Sequence, residues 1–251
     1  MGNRKFFTLS YDDGVEQDKR FIELLKKYGI KCTFCINSGL FGEKDYLIRS
    51  KDKNFRVAKH ASIFPKKFIQ SVEHFKIPRD EIKDVYAGFE VASHGVKHKD
   101  MSLISKKRRK QEILNDKQEL EKILGYTIKG HIFPYGIYTK DALDILKECD
   151  VKYTRSIKST NSFSIPDDKY FFHPTCWHGD ENIMVLLDEF IKAEPEEDIL
   201  FNLWGHTYEF DYGTERNSWK RIEEILEKIS SMENIINCTN SEMVEAISKD
   251  H

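Results

Sequence analysis

Several features are missing from this 251-residue chain. No stretch approaches the roughly 20 consecutive apolar residues that a membrane-spanning helix needs, so no membrane partner is expected. The first residues, Met1-Gly2-Asn3-Arg4-Lys5-Phe6, run straight into an apolar segment. They show neither the apolar core nor the small-residue cleavage site of a secretory leader, and the expectation is a cytoplasmic protein. Cysteines are few and odd in number, five scattered along the chain, which argues against a disulfide framework. Charge of one sign is lacking as well: 40 Lys and Arg against 42 Asp and Glu leave a net charge of −2. The whole chain therefore gives no reason to expect nucleic acid as a partner. The cationic run Lys106-Lys107-Arg108-Arg109-Lys110 reads as the solvated face of a polar helix. No internal repeat or low-complexity linker interrupts the chain.

What is present suits a packed core. Hydrophobic residues make up 39% and aromatics 12%, which argues against disorder. The length admits one large α/β domain or two small ones. Strand-like runs begin near Phe6, Lys31, Phe89, Gly130, Val151, Ile199 and Asn234, with helical patterns between them. Phe21, Leu24, Leu25 and Tyr28 follow i, i+3, i+4, i+7 spacing, with Gly29 as C-cap. Ser105 to Leu124 reads as a long polar helix with Ile113, Leu114, Leu120, Ile123 and Leu124 as its apolar stripe. Thr139 is placed to cap the next helix, and 182–193, 219–229 and 242–247 supply the rest. Seven strands alternating with helices argue for a parallel sheet, open or closed into a barrel. Residues 38–86 stand out as an irregular insertion, with helices expected at 65–75 and 78–86.

Two clusters carry chemistry. Ser10-Tyr11-Asp12-Asp13-Gly14 ends the first strand, and His94-Gly95-Val96-Lys97-His98 follows the third. One carboxylate and two imidazoles form a three-donor set that suits a divalent transition metal and leaves a position for water or substrate. A second carboxylate beside the first is free to act as a base. The plain alternatives are a surface acid in a turn, since Asp-Gly is a turn signal, and two unrelated histidines. Pro134-Tyr135-Gly136, Arg155 and His206 also fall at strand ends, where sites of parallel α/β folds gather. Cys32 and Cys35 form a C-x-x-C inside a strand-like run rather than at a helix start. Residues three apart on a strand face opposite ways, so buried structural thiols are expected.

These motifs resemble the polysaccharide deacetylase family, carbohydrate esterase family 4, with its NodB-homology domain. Ser10-Tyr11-Asp12-Asp13-Gly14 is similar to the family's T-F-D-D-G, and His94-Gly95-Val96-Lys97-His98 to its H-[ST]-x-x-H. Phe133-Pro134-Tyr135-Gly136 resembles the third motif, R-x-P-[YF]-G, but Ile132 and Phe133 occupy the neighbourhood of its arginine. Leu203-Trp204-Gly205-His206 is similar to the late L-x-H with one extra residue. The resemblance implies an α/β fold, a distorted (β/α)7-type barrel, with one catalytic domain over residues 1–251. It implies a divalent metal ion, zinc first and cobalt or nickel next, and removal of an acetyl group from an N-acetylated sugar or oligosaccharide.

Under that resemblance Asp13, His94 and His98 are the metal ligands and Asp12 is the general base. His206 is the general acid, with Glu209 or Asp211 close enough in sequence to orient it. The backbone N–H of Tyr135 is an oxyanion donor. By spacing, Arg155 at the end of the next strand is placed to stand in for the missing arginine, with a surface salt bridge as the plain alternative. The fourth motif has its candidate region at 175–180, and Trp177 and Trp204 are candidate platforms for a sugar face. Two rivals stay open: a C–N hydrolase acting on a small non-peptide amide, cyclic imide or formamido compound, and a non-enzymatic carbohydrate-binding relic.

Overall fold

A computed structural model of the chain describes residues 3–49, 55–58, 71–168 and 170–248. Its centre is the strand β1, Lys5–Asp12, buried along its whole length. Successive side chains of β1 alternate between two cores. Phe7, Leu9 and Tyr11 point to one side and join Phe21, Leu25, Phe34, Phe201, Leu203, Ile222 and Leu226 in the larger core cluster. Phe6 points the other way, into a second cluster with Cys35, Ala92, Ile132, Tyr153, Phe172 and Leu200. Above Phe6 that inner side turns polar, with Thr8, Ser10 and Asp12.

β1 pairs in parallel with β2, Thr33–Ile36, and over eight residues with β10, Ile199–His206, so that Asp12 lies beside His206. β2 pairs in turn with β6, Glu90–Ser93. From there single parallel bridges carry the pattern on, Ser93 to His131 and Gly130 to Tyr153. β7, Thr154–Arg155, pairs with β8, Phe171–Phe172, and four residues on β9, Cys176–Trp177, pairs with β10. The run 171–177 thus meets β7 on one side and β10 on the other. Seven parallel positions succeed one another around a distorted barrel, as expected for a (β/α)7 type.

Six of the seven expected runs form parallel strands, and the run at Gly130 contributes isolated parallel bridges. The last, β11, Ile235–Asn237, forms where expected but, among the described residues, pairs only with the start of β1. The seventh position belongs to 171–177, which the strand pattern does not flag because Pro174 interrupts it and pairing is limited to short pieces. The helices match more closely: α1 Gln17–Tyr28, α3 Lys106–Leu124, α5 Ile183–Lys192, α6 Trp219–Ser230 and α7 Asn240–Ser248, with α4 at Ala142–Glu148. Gly29 closes α1 in the left-handed conformation, φ 64°. Ser105 caps α3, accepting from the Arg108 N–H. Thr139 does not cap α4; its hydroxyl donates to Asp141, which is the N-cap residue. α7 sets Met243, Val244 and Ile247 against the Phe6 cluster, at the end of the barrel away from Asp12.

The insertion is more regular than expected. β3, Lys44–Arg49, pairs antiparallel with β4, Phe55–Ala58, and with β5, Ser71–Phe75. The helix expected at 65–75 is therefore a strand over 71–75, and its first part lies outside the described residues. The helix expected at 78–86 shrinks to the single turn α2, Ile82–Val85. No helix among the described residues is long and apolar enough to cross a membrane.

Candidate active site

Parallel register assembles the site. Asp13 N–H donates to the Cys35 carbonyl at 2.8 Å, His94 N–H to Ile36 at 3.0 Å, and Ile132 N–H to Ser93 at 2.8 Å. The residues just past the ends of β1, β2 and β6 therefore stand at one level. A cavity of about 510 Å³ opens there, lined by Asp12, Asp13, His94, His98, Tyr135 and His206, along with Trp204 and Tyr208. The expected ligands and proton-transfer or oxyanion residues all line the cavity; Arg155 does not, and neither do Trp177, Glu209 and Asp211. Arg155 is fully buried beneath it.

Asp13, His94 and His98 offer one ligand atom each, all within 4.8 Å of one another. His98 Nε2 lies 3.6 Å from Asp13 Oδ1. His94 Nδ1 sits 2.8 Å from the Ile132 carbonyl. That partner assigns the proton to Nδ1 and leaves the Nε2 lone pair for a ligand. Burial lowers both imidazoles, His98 to about 3, so both are neutral near pH 7. Burial alone would raise Asp13, but Lys76 and His74 hold it well below the usual carboxylate range. One ionised carboxylate and two neutral imidazoles within ligating distance of one another fit a divalent transition ion. Asp13 (φ 90°), His98 (φ 48°) and Tyr135 (φ 60°) all have left-handed backbones, and such strain gathers at functional sites.

Asp12 has a different environment. Arg155 Nη2 lies 2.6 and 2.9 Å from its two oxygens. Arg155 Nε donates to Ser10 Oγ at 3.1 Å and Nη1 to the Ser156 carbonyl at 3.0 Å. Burial would raise the Asp12 carboxyl, but Arg155, His94 and His206 together bring it below its ordinary value, so it stays ionised. The register explains how Arg155 comes to this place. Gly130 bridges Tyr153, so two residues on, Ile132 and Arg155 are lateral neighbours on adjacent strands. Ile132 fills the inner core where the family motif has arginine, and Arg155 reaches Asp12 from one strand over.

His206 faces the cavity with Nδ1 3.2 Å from Glu209 Oε2. That oxygen also accepts from Trp177 Nε1 at 2.9 Å and the His206 N–H at 3.3 Å. Burial alone would lower His206; the Glu209 carboxylate overrides it and raises the imidazole to about 9. Glu209 is thus the orienting acid. Asp211 is not, because it accepts from Trp219 Nε1 and Gln17 Nε2 instead. The 175–180 region takes part through Trp177, whose indole N–H holds Glu209 and is not a cavity platform. Trp204 does line the cavity, with the Arg155 guanidinium 5.0 Å from its ring centroid. Gly205 is required by packing, since a Cβ there would lie 1.8 Å from His178 Nδ1.

Four supporting residues escaped the motifs. Asp116 on α3 accepts from the N–H groups of Ser38 at 2.7 Å and His94 at 3.0 Å and from Ser93 Oγ at 2.7 Å. Glu112, one turn earlier, accepts from the Lys97 N–H at 2.8 Å. Their i, i+4 spacing on the same helix as the apolar stripe is the signal that marks them as inward-facing. His74 and Lys76, two apart on the insertion, both reach Asp13. The two buried thiols behave as expected: Cys35 belongs to the inner cluster and Cys32 to the outer one.

A family model described as polysaccharide deacetylase matches residues 2–154. Among solved structures, a Mycobacterium smegmatis protein assigned provisionally as a polysaccharide deacetylase is similar over 100% of this chain and 92% of its own, at 13% identity and TM-score 0.65. Peptidoglycan deacetylase PdaC from Bacillus subtilis aligns over 99% and 94%, at 16% identity and TM-score 0.55. A CE4 family pseudoenzyme from Bacillus anthracis aligns over 97% of this chain but 66% of its own, at 14% identity and TM-score 0.56. A search of curated proteins finds no match. At these identities the structures speak for the fold alone. The family model spans well over half of the 251 residues and contains both the Asp12-Asp13 and the His94/His98 motifs, and the chain belongs to the polysaccharide deacetylase family.

Proposed function

We propose that this chain is a metal-dependent hydrolase that removes acetyl groups from an N-acetylated sugar or oligosaccharide. One observation carries the reading. An ionised Asp12, held by Arg155, stands next to the Asp13, His94 and His98 donor set, with His206 across the same cavity. A divalent ion held by those three donors supplies Lewis acidity toward a carbonyl oxygen and lowers the pKa of water.

The remaining work falls to the chain itself. Asp12 takes the proton of the attacking water, and Arg155 keeps it charged and aimed. The backbone N–H of Tyr135, in the turn beside His98, serves as an oxyanion donor. His206 is protonated at neutral pH and gives its proton to the departing nitrogen, with Glu209 stabilising the charged imidazole. Tyr135 and Trp204 offer aromatic faces to a sugar ring.

The relic reading drew its force from the missing arginine, and the contact between Arg155 and Asp12 weighs against it. A small amide would use the same residues, and the insertion favours it to one degree: Leu40, Glu43, Asp45, Leu47, His74 and Lys76 wall one side of the cavity. Acetate release from N-acetylglucosamine oligomers should be measured with Zn²⁺, Co²⁺ or Ni²⁺ added, beside ammonia and acid release from small amides and cyclic imides. Acetate release from the oligomers is the expected result. Turnover of the amides alone would replace the sugar reading, and no turnover of either class with any of the three ions would remove it.

A further inference from the structure

Among the described residues, the cavity lining holds one buried ammonium, which the proposed hydrolysis does not use. Lys76 sits just past β5 and is 6% exposed at its side chain. Its Nζ lies 2.5 Å from the Asp13 carbonyl oxygen, 3.1 Å from Asp13 Oδ1 and 3.4 Å from Asn37 Oδ1. Asn37 in turn donates to the carbonyls of His94 and Gly95, at 2.7 and 2.9 Å. The ammonium therefore ties together Asp13, the end of β2 and the turn that carries the histidines. It also rests against the same Asp13 oxygen that faces His98 Nε2.

That position acts in two opposite ways. A buried carboxylate beside two neutral imidazoles is expensive without a counter-charge, and Lys76 supplies one when no ion is bound. An ammonium has no lone pair, so it cannot join the ligand set. Once a divalent ion is held by Asp13, two cations share one carboxylate in a poorly solvated place, and their repulsion opposes binding. The repulsion outweighs the loss of order, because Asp13 is also tied through its backbone and through His74 Nε2, 3.3 Å from Oδ2.

We infer that Lys76 is a resident cation that holds Asp13 in ligating position before a divalent ion arrives and weakens the hold on that ion afterwards, so that the ion is exchangeable. The inference rests on the reading of Asp13, His94 and His98 as a cation site.

The test is a titration of Zn²⁺ and of Co²⁺ into the metal-stripped full chain, in competition with a chelator of known affinity. Wild type is compared with Lys76→Met, Lys76→Gln and Lys76→Arg. The two neutral variants should bind each ion tighter by about tenfold or more, while Lys76→Arg, which keeps the charge, stays near wild type. Lys76→Gln keeps a hydrogen-bond donor toward Asn37 and guards against a folding defect in Lys76→Met; melting curves identify such a defect. Neutral variants that bind equally or more weakly overturn the inference alone. Absence of binding in wild type and all variants overturns the cation site itself and the inference with it.

Discussion

The Nη2 of Arg155 lies between the two oxygens of Asp12, at 2.6 and 2.9 Å, across 143 residues of sequence. Both partners are buried, and the other guanidinium nitrogens are committed to Ser10 and Ser156. Removing Arg155 leaves Asp12 as an unpaired buried charge, which typically destabilises by about 3–5 kcal/mol. Arg155→Ala should lose stability on that scale in urea unfolding. Arg155→Lys keeps the charge but cannot match a planar guanidinium at three acceptors. It should fold, and its acetate release should drop by about tenfold or more. A fully active Arg155→Lys would show that the geometry of the pair does not matter.

The division of labour between adjacent aspartates can be tested by metal content. Asp13→Ala, His94→Ala and His98→Ala should each lower divalent-ion affinity beyond the roughly 10–100-fold typical of changes to outer partners. Asp12→Asn, which removes charge from a residue outside the ligand set, should retain the ion and lose turnover. Elemental analysis after equilibration with zinc reads the first effect, and acetate release the second. An Asp12→Asn protein that turns over like wild type would remove Asp12 as the base.

His206 gives the pH dependence a sign. A general acid must be protonated, and Glu209 raises His206 to about 9 against the pull of burial. With His206 as the proposed acid, the alkaline limb of activity is expected to follow the loss of its proton. Glu209→Gln removes the largest influence that opposes burial, leaving only the weaker pull of Asp13 and Asp12, so that limb should move to lower pH while the acid limb stays. A divalent ion in the cavity lowers the limb in both proteins and leaves the difference between them. The pH profile of kcat for the two proteins decides it; superimposed alkaline limbs would show that Glu209 only packs against the imidazole.

The legible and illegible parts of this molecule divide along physical lines. Asp12, Asp13, His94 and His98 could be read because each motif ends a strand, and parallel pairing brings strand ends to one level. Arg155 was within reach for the same reason, since it is the lateral neighbour of position 132. The insertion misled because Phe68, Ile69, Val72 and Phe75 fit helical spacing in a segment whose described part, 71–75, is a strand. That reading hid His74 and Lys76, whose two-residue spacing puts both on one strand face. The barrel position at 171–177 was hidden by Pro174 and by the shortness of its pairings. Asn234 onward looked equally strand-like, but no periodicity says whether a strand joins the ring or lies along the start of β1.

Asp18 supplies a test of stability that is independent of catalysis. Its carboxylate is buried in the first turn of α1, where it accepts from Thr207 Oγ1 at 2.5 Å and Tyr86 Oη at 2.6 Å. Burial outweighs these two donors and pushes Asp18 up to about 7. An unfolded chain releases this proton near pH 4, so between about 4 and 7 the folded protein holds a proton that the unfolded one has lost. Stability from this group is present below that window and is lost as pH rises through about 7. Asn at the same place has no charge to desolvate, and both hydroxyl partners can turn to suit it. In the metal-free protein, wild type should therefore lose stability relative to Asp18→Asn between about pH 4 and 7, by about 1 kcal/mol per pH unit at the steepest point, and level off above that. Urea unfolding at half-unit intervals measures the difference. Curves that stay parallel across that range would mean that Asp18 is ionised throughout, with its two hydroxyl donors outweighing burial.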